Sequence, residues 1–279
     1  MRGAPAQLRA GAQRARGAVN AAARVVRIAS RDNPLLAKVR RLNAMPDAYR
    51  QLGVIWLEGD HLVRAALARG WPLQELLLSA RDEHDAALRA LWPQAASVRI
   101  VADTLWSGVG SLSSKAPLAA LAAWPGTLPV LPGRRSVVLD RVQDAGNLGS
   151  ILRSAAAFGV EQVVALKGCA ALWSPKVMRA GMGAHFGLRL VEAADDSVLD
   201  ALQVPLLATS SHAGAPLTDA PLPDPCAWVF GHEGQGVAAA LLQRCAQRLA
   251  IPQPGGEESI NVAAAAAVCL YESMRRRAQ

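Results

Sequence analysis

Three stretches of this sequence bring polar side chains and glycines together at spacings that can do chemistry. In the first, from Asp140 to Arg153, an apolar segment gives way to Asn147, Gly149, Ser150 and Arg153. Asn147 is a good N-cap for a helix. In that helix Gly149, Ser150, Arg153 and Ala157 fall on one face by their i, i+3 and i+4 spacing. A guanidinium among side chains of almost no bulk can be approached closely by a phosphate or a large planar partner. Taken alone, it reads as an ordinary surface arginine on an alanine-rich helix, since lone arginines on helices are common. In the second stretch the apolar Val229-Phe230 runs into Gly231-His232-Glu233-Gly234-Gln235-Gly236. Such glycines let a ligand lie against backbone N–H and C=O groups. Glu233 reads otherwise as an exposed turn carboxylate, and His232 as a solvated imidazole. In the third, Ile251-Pro252-Gln253-Pro254-Gly255-Gly256 makes a loop of fixed shape before Ser259, Ile260 and Asn261 open an almost wholly apolar helix. Capping explains Ser259. It explains Asn261 poorly, because an amide just inside a buried helix wants a specific partner.

The elements that position these loops alternate. Between 136 and 279 the pattern predicts strands at Ser136–Asp140, Gln162–Leu166, Leu188–Val191, Leu206–Ala208, Ala227–Phe230 and Arg248–Ile251. Helices are predicted at Leu148–Phe158, from Pro175 onward, at Ser197–Leu202, at Val237–Cys245 and at Ser259–Met274. This alternation implies α/β architecture, a parallel sheet covered on both faces, with ligand loops at the carboxyl ends of the strands. Residues 30–123 read as a smaller α/β domain, residues 124–135, with three prolines and two glycines, as a linker, and residues 1–29 as a basic flexible tail. The tail is free of acidic residues and suits either a loose arm touching RNA phosphates or an organelle transit peptide.

Composition excludes several classes. The chain has 279 residues, 52% of them hydrophobic and 19% charged, enough to bury a core and too apolar for a disordered protein. The longest apolar run, Val262 to Tyr271, is too short to span a membrane. Four scattered cysteines fit neither a disulfide framework nor a zinc site, and suggest a reducing, cytoplasmic setting with no metal. Seven of the eight net positive charges fall within residues 1–31, so the overall charge says little about the rest. A dinucleotide-binding reading fails on glycine spacing and lacks an acid about twenty positions downstream.

Taken together, and in this order, the three loops resemble those of SpoU (TrmH-like) RNA ribose 2′-O-methyltransferases of the SPOUT superfamily. The resemblance rests on Asn147, Gly149 and Arg153, on Phe230 to Gly236, and on Ile251-Pro252 with Ser259-Ile260-Asn261. Gln253-Pro254 departs from the family, which usually has Met and a small residue there, and Ile260 replaces a frequent leucine. Ser30-Arg31-Asp32-Asn33-Pro34 and Leu57 to Val63 resemble, less specifically, the family's ribosomal-protein-like substrate-binding domain.

The resemblance implies a C-terminal trefoil-knot methyltransferase domain that binds S-adenosyl-L-methionine against Gly231, Ile251 and Ile260, with Thr209 a further candidate. It implies catalytic roles for Arg153, Asn147, Glu233, Ser259 and Asn261, a homodimer, and an RNA substrate, ribosomal RNA ahead of transfer RNA. Arg153 is the family's proposed base. Arginine rarely loses its proton, so a cationic role in holding phosphate and the forming oxyanion stands beside it. Arg31, Lys38, Arg40, Arg41, Arg64 and Arg69 are candidates for following an RNA backbone or simply a solvated face. An RNA-binding factor without catalysis is the alternative on the same fold. It predicts erosion of the polar set, and each of those residues is present.

Overall fold

The computed structural model describes residues 24–110, 116–210, 214–255 and 259–277. The chain divides into two compact units. One comprises the chain up to Gly126 together with Trp173–Gly187, and the other Thr127–Leu172 and Leu188–Gln279. Residues 173–187, expected within the C-terminal domain, therefore group with the first unit.

The first unit runs β1 (Arg24–Ile28), α1 (Pro34–Ala44), α2 (Ala48–Leu52), β2 (Val54–Glu58), α3 (Asp60–Ala68), β3 (Leu73–Ser79), α4 (Ala86–Arg89), β4 (Ala95–Val101), α5 (Asp103–Trp106) and β5 (Leu118–Ala123). Its five-stranded sheet has the order β1-β4-β3-β5-β2. One strand corrects the sequence reading, and a second was not foreseen in it. Arg24–Ile28 is not part of a loose tail. It pairs in parallel with β4, its Ile28 is buried, and the Ser97 hydroxyl donates to the Arg24 carbonyl. The rest of the expected tail lies outside the described residues. Leu118–Ala123, alanine-rich and without strand propensity, is an interior strand antiparallel to β2 and β3. Burial of every residue from Leu118 to Ala122 overrides propensity there. Helix α1 begins where Asn33 accepts the Leu35 amide and Pro34 takes the first turn, and it buries Leu36, Val39 and Leu42. Trp173 and Phe186, from the returning segment, pack against Trp71, the first tilted at 43° and the second edge-on.

The second unit continues with β6 (Ser136–Leu139), α6 (Ala145–Ala157) and β7 (Gln162–Leu166), then, after α7 (Pro175–Ala180) of the first unit, β8 (Arg189–Ala194). It ends with β9 (Leu206–Thr209), β10 (Ala215–Pro216), β11 (Ala227–Phe230), α8 (Ala239–Arg244), β12 (Gln247–Ala250) and α9 (Val262–Arg277). All seven strands are parallel, in the order β10-β12-β9-β11-β6-β7-β8. The central strands are mostly apolar and almost wholly buried, as expected of a parallel sheet covered on both faces. Val138, Val164, Val191 and Val229 belong to one buried cluster with Leu199 and Leu202. The predicted linker is not free. The buried Gln162 carboxamide exchanges hydrogen bonds with the backbone of Leu131, at 3.0 and 2.8 Å, and Arg189 donates to the Pro129 carbonyl. Residues 127–135 are thus tied to this sheet.

Candidate active site

The site is assembled where β6, β11 and β12 end. Strand β6 leads into Asp140 and Arg141. The backbone of Arg141 is left-handed, with φ of 58°, a conformation that L-residues other than Asn and Asp seldom adopt. Asp140 accepts the Ala238 amide at 2.7 Å, capping α8 from a distance, and holds Arg141 through both carboxylate oxygens. From there Arg141 Nη1 donates to Gln235 Oε1 at 2.8 Å. One arginine so clamps the β6 loop to the β11 loop.

Helix α6 starts two residues before Asn147, because Asp144 and not Asn147 is its N-cap. The Asp144 carboxylate accepts the Asn147 amide at 2.8 Å. That correction changes the role open to Asn147: its carboxamide is released from capping and faces two other loops. Asn147 Nδ2 donates to Glu233 Oε1 at 3.2 Å, and Asn147 Oδ1 accepts from Asn261 Nδ2 at 2.9 Å. Asn261 in turn caps α9, its Oδ1 accepting the amides of Ala263 and Ala264. The predicted helix start at Ser259 therefore moves to Val262, since the Asn261 carboxamide takes the first free amides. Ser259 stays in the preceding loop.

Glu233 is an acceptor for three donors. Beside Asn147, the amides of Asp144 and Gln143 donate to its two oxygens at 3.0 and 3.3 Å. Burial alone pushes this carboxyl up, but hydrogen bonds from Asp144, its own amide, Asn147 and Gln143 outweigh it and hold the carboxyl below its usual range. His232, read from sequence as solvated, is half-buried and structural. Its Nδ1 accepts the Gly234 and Gln235 amides, while its backbone closes a bridge with Gly236. A Cβ at Gly231 would overlap the Gly236–Val237 peptide, so glycine there is required by the closure of the loop on itself.

Between these loops lies a cavity of about 390 Å³, within the range of small-molecule sites. Gly231, Ile251, Ile260 and Thr209, the four residues expected at a cofactor, all line it, with Ser259 and Gln253. The buried Gln253 Oε1 has no hydrogen-bond partner among the described residues. Asn147, Asn261 and Arg153 do not line the cavity. Arg153 is exposed on α6 and has no ion-pair or hydrogen-bond partner among the described residues. Its face is made of Gly146, Ser150 and Ala157, all exposed, whereas Gly149 is buried at the edge of that stripe. Arg141 and Asp144 went unread in the sequence, and Gln253 was read only as a departure from the family. The aspartate three residues before Asn147 was the signal for the true cap.

Residues 134–271 match the sequence model of the SpoU rRNA Methylase family. An uncharacterised tRNA/rRNA methyltransferase of Synechocystis is 32% identical over 91% of this chain and 95% of its own length. The 23S rRNA (guanosine(2553)-2′-O)-methyltransferase RlmP of Bacillus subtilis is also 32% identical, over 77% of this chain and 86% of its own. The crystal structure of the SpoU methyltransferase AviRb from Streptomyces viridochromogenes, in complex with AdoMet, superposes with a TM-score of 0.81 at 26% identity, covering 88% of this chain and 99% of that one. With its three loops joined through Glu233, Asn147 and Asn261 and relatives of this similarity along nearly its whole length, the chain belongs to the SpoU rRNA methylase family.

Proposed function

We propose that this protein transfers a methyl group from S-adenosyl-L-methionine to a ribose 2′-oxygen of ribosomal RNA. The observation that carries the reading is the Glu233–Asn147–Asn261 chain of hydrogen bonds, which joins all three loops beside the cavity. Relatives named as 23S rRNA ribose methyltransferases support the substrate class. The cavity fits the donor in kind. Ile251 and Ile260 offer apolar walls for a planar base, and Gly231, where a Cβ would overlap the Gly236–Val237 peptide, exposes backbone.

When bound, the donor supplies a methyl group on a positively charged sulfur, an electrophile that needs no activation. The chain's residues must then orient a very weakly acidic hydroxyl and stabilise the oxyanion it becomes. Arg153, exposed among small side chains, holds an RNA phosphate and the developing negative charge as a permanent cation. Glu233, kept ionised by its three donors, fixes the loops and is not the base. Asn147, Ser259 and Asn261 position the ribose and the loop around it.

The reading includes a homodimer. Helix α9 leaves Val268 and Tyr271 42% and 49% exposed, and the Tyr271 ring meets Phe158 at the C-terminal end of α6, centroids 5.8 Å apart. A second copy seated there brings its own Arg153 to the neighbouring cavity. It also includes a cytoplasmic location, the compartment of the substrate. No helix among the described residues is long and apolar enough to cross a membrane.

The test is methyl transfer from radiolabelled donor to total RNA lacking the mark, followed by mapping of alkali-resistant linkages. Label in ribosomal RNA is expected. Label confined to transfer RNA overturns the substrate, and no label in any ribose overturns the activity. Mixing Arg153→Ala with Gly231→Ala subunits tests the dimer: restored activity is expected, and none would show that each site is complete in one chain.

A further inference from the structure

Arg141 is an arginine where the backbone favours glycine or asparagine. Its φ is 58°, and an L-residue keeps that conformation only where its surroundings over-determine it. The surroundings here are the ends of three adjacent parallel strands, β7, β6 and β11. The aliphatic stem lies against Gly168, just past β7, where an added Cβ would stand 3.0 Å from Arg141 Cγ. The guanidinium takes both oxygens of the buried Asp140, with Nε at 2.9 Å and Nη2 at 3.1 Å. It then reaches the loop after β11, donating from Nη1 to Gln235 Oε1 at 2.8 Å and from Nη2 to the Gly236 carbonyl at 3.4 Å. Among the described residues, four of its five N–H groups are thus engaged. Such a guanidinium has little left to offer a phosphate, unlike that of Arg153.

The loop it holds, Gly231 to Gly236, forms a wall of the cavity, whereas Arg141 itself does not line it. Three of the six loop residues are glycines, the residue that loses most freedom on being ordered. Glu233 ties the middle of the loop to Gln143, Asp144 and Asn147, and Arg141 ties its far end. A loop already fixed in its binding shape spares a ligand the cost of ordering it. We infer that Arg141 is a positioning residue for methyl transfer, fixing the glycine-rich loop in its binding shape before the donor arrives. The inference rests on the reading of the cavity as the S-adenosyl-L-methionine site, and Arg141 acts there only through Gln235 and Gly236.

Hydrogen–deuterium exchange of the free protein, with calorimetry using S-adenosylhomocysteine, tests it without reference to turnover. Arg141→Asn tolerates the left-handed backbone but is too short to reach Gln235. It is expected to speed exchange of the 231–236 amides by about tenfold while the β7 amides keep their wild-type rates. Affinity for S-adenosylhomocysteine is expected to fall by about tenfold. Arg141→Gly, unstrained at this φ, is the second variant and is expected to behave alike. Gln235→Met removes the acceptor at similar size. In the double variant with Arg141→Asn, the loss of affinity should fall short of the product of the single losses by at least about twofold, because both changes break the same bond. Loop exchange that stays at the wild-type rate in both Arg141 variants, beside normal binding, overturns the inference alone. Exchange that rises equally in the loop and in β7 also overturns it, since Arg141 would then serve the fold as a whole. If the wild type does not bind S-adenosylhomocysteine, the donor reading fails and this inference with it.

Discussion

Asn147 and Asn261 are 114 residues apart in sequence, and their carboxamides meet at 2.9 Å. Each also has a second duty: Asn147 donates to Glu233, and Asn261 caps the terminal helix α9. The contact makes the start of one helix and the third residue of another a single polar unit. Two helices that pack side by side thereby share one hydrogen-bonded corner.

The first prediction is thermodynamic. Asn261→Ala removes a cap that satisfies two amides and should cost about 1 kcal/mol of stability. Asn147→Ala removes the link to Glu233. Because the two side chains bond each other, the double variant should lose less than the sum of the singles, with a coupling of at least about 0.5 kcal/mol. Urea unfolding of all four proteins measures this, and strict additivity would rule out the pairing.

A second concerns pH. The Glu233 carboxyl titrates below its ordinary range in the fold. A carboxyl with a depressed folded value stabilises the protein fully above the unfolded value of about 4, and that contribution is lost as pH falls through the folded value. The stability gap between wild type and Glu233→Gln should therefore be flat around neutrality and close in acid. Melting temperatures from about pH 3 to about pH 8 record it. A gap that instead widens in acid contradicts the hydrogen-bond geometry.

Gly231→Ala is the third. The added methyl meets the Gly236–Val237 peptide, so the loop must open or shift. Overpacking of this kind costs about 1–3 kcal/mol. Because the loop forms one wall of the cavity, affinity for S-adenosylhomocysteine should fall by at least about tenfold, equivalent to about 1.4 kcal/mol. Calorimetry that finds unchanged affinity would place the ligand elsewhere.

Arg153→Ala supplies the fourth. Arg153 lies outside the cavity lining and is exposed on α6. Loss of methyl transfer with nearly intact cofactor affinity is expected. Arg153→Lys, a point charge without the planar fork, should recover only part of the rate. Lost cofactor affinity combined with normal turnover at saturation would remove Arg153 from the reaction.

Much of this was legible in the residues themselves. Continuous apolar runs such as Val137-Val138-Leu139 and Ala227 to Phe230 announce buried parallel strands, because period and composition are local properties. The glycines and polar residues of the three loops announce a ligand site for the same reason. Where the reading failed, a distant partner decided. Arg24–Ile28 became a strand because β4 lay open to pair with it, and Leu118–Ala123 because two strands closed over its alanines. Asn147 lost the cap to Asp144 and gained Glu233 and Asn261, partners about a hundred residues away that no spacing along the chain reveals. Propensity and pattern act over a few residues, so they determined which segments are strands and which loops are polar. Which carboxamide meets which carboxylate is set by the crossings of the sheet, and only the tertiary structure decided that.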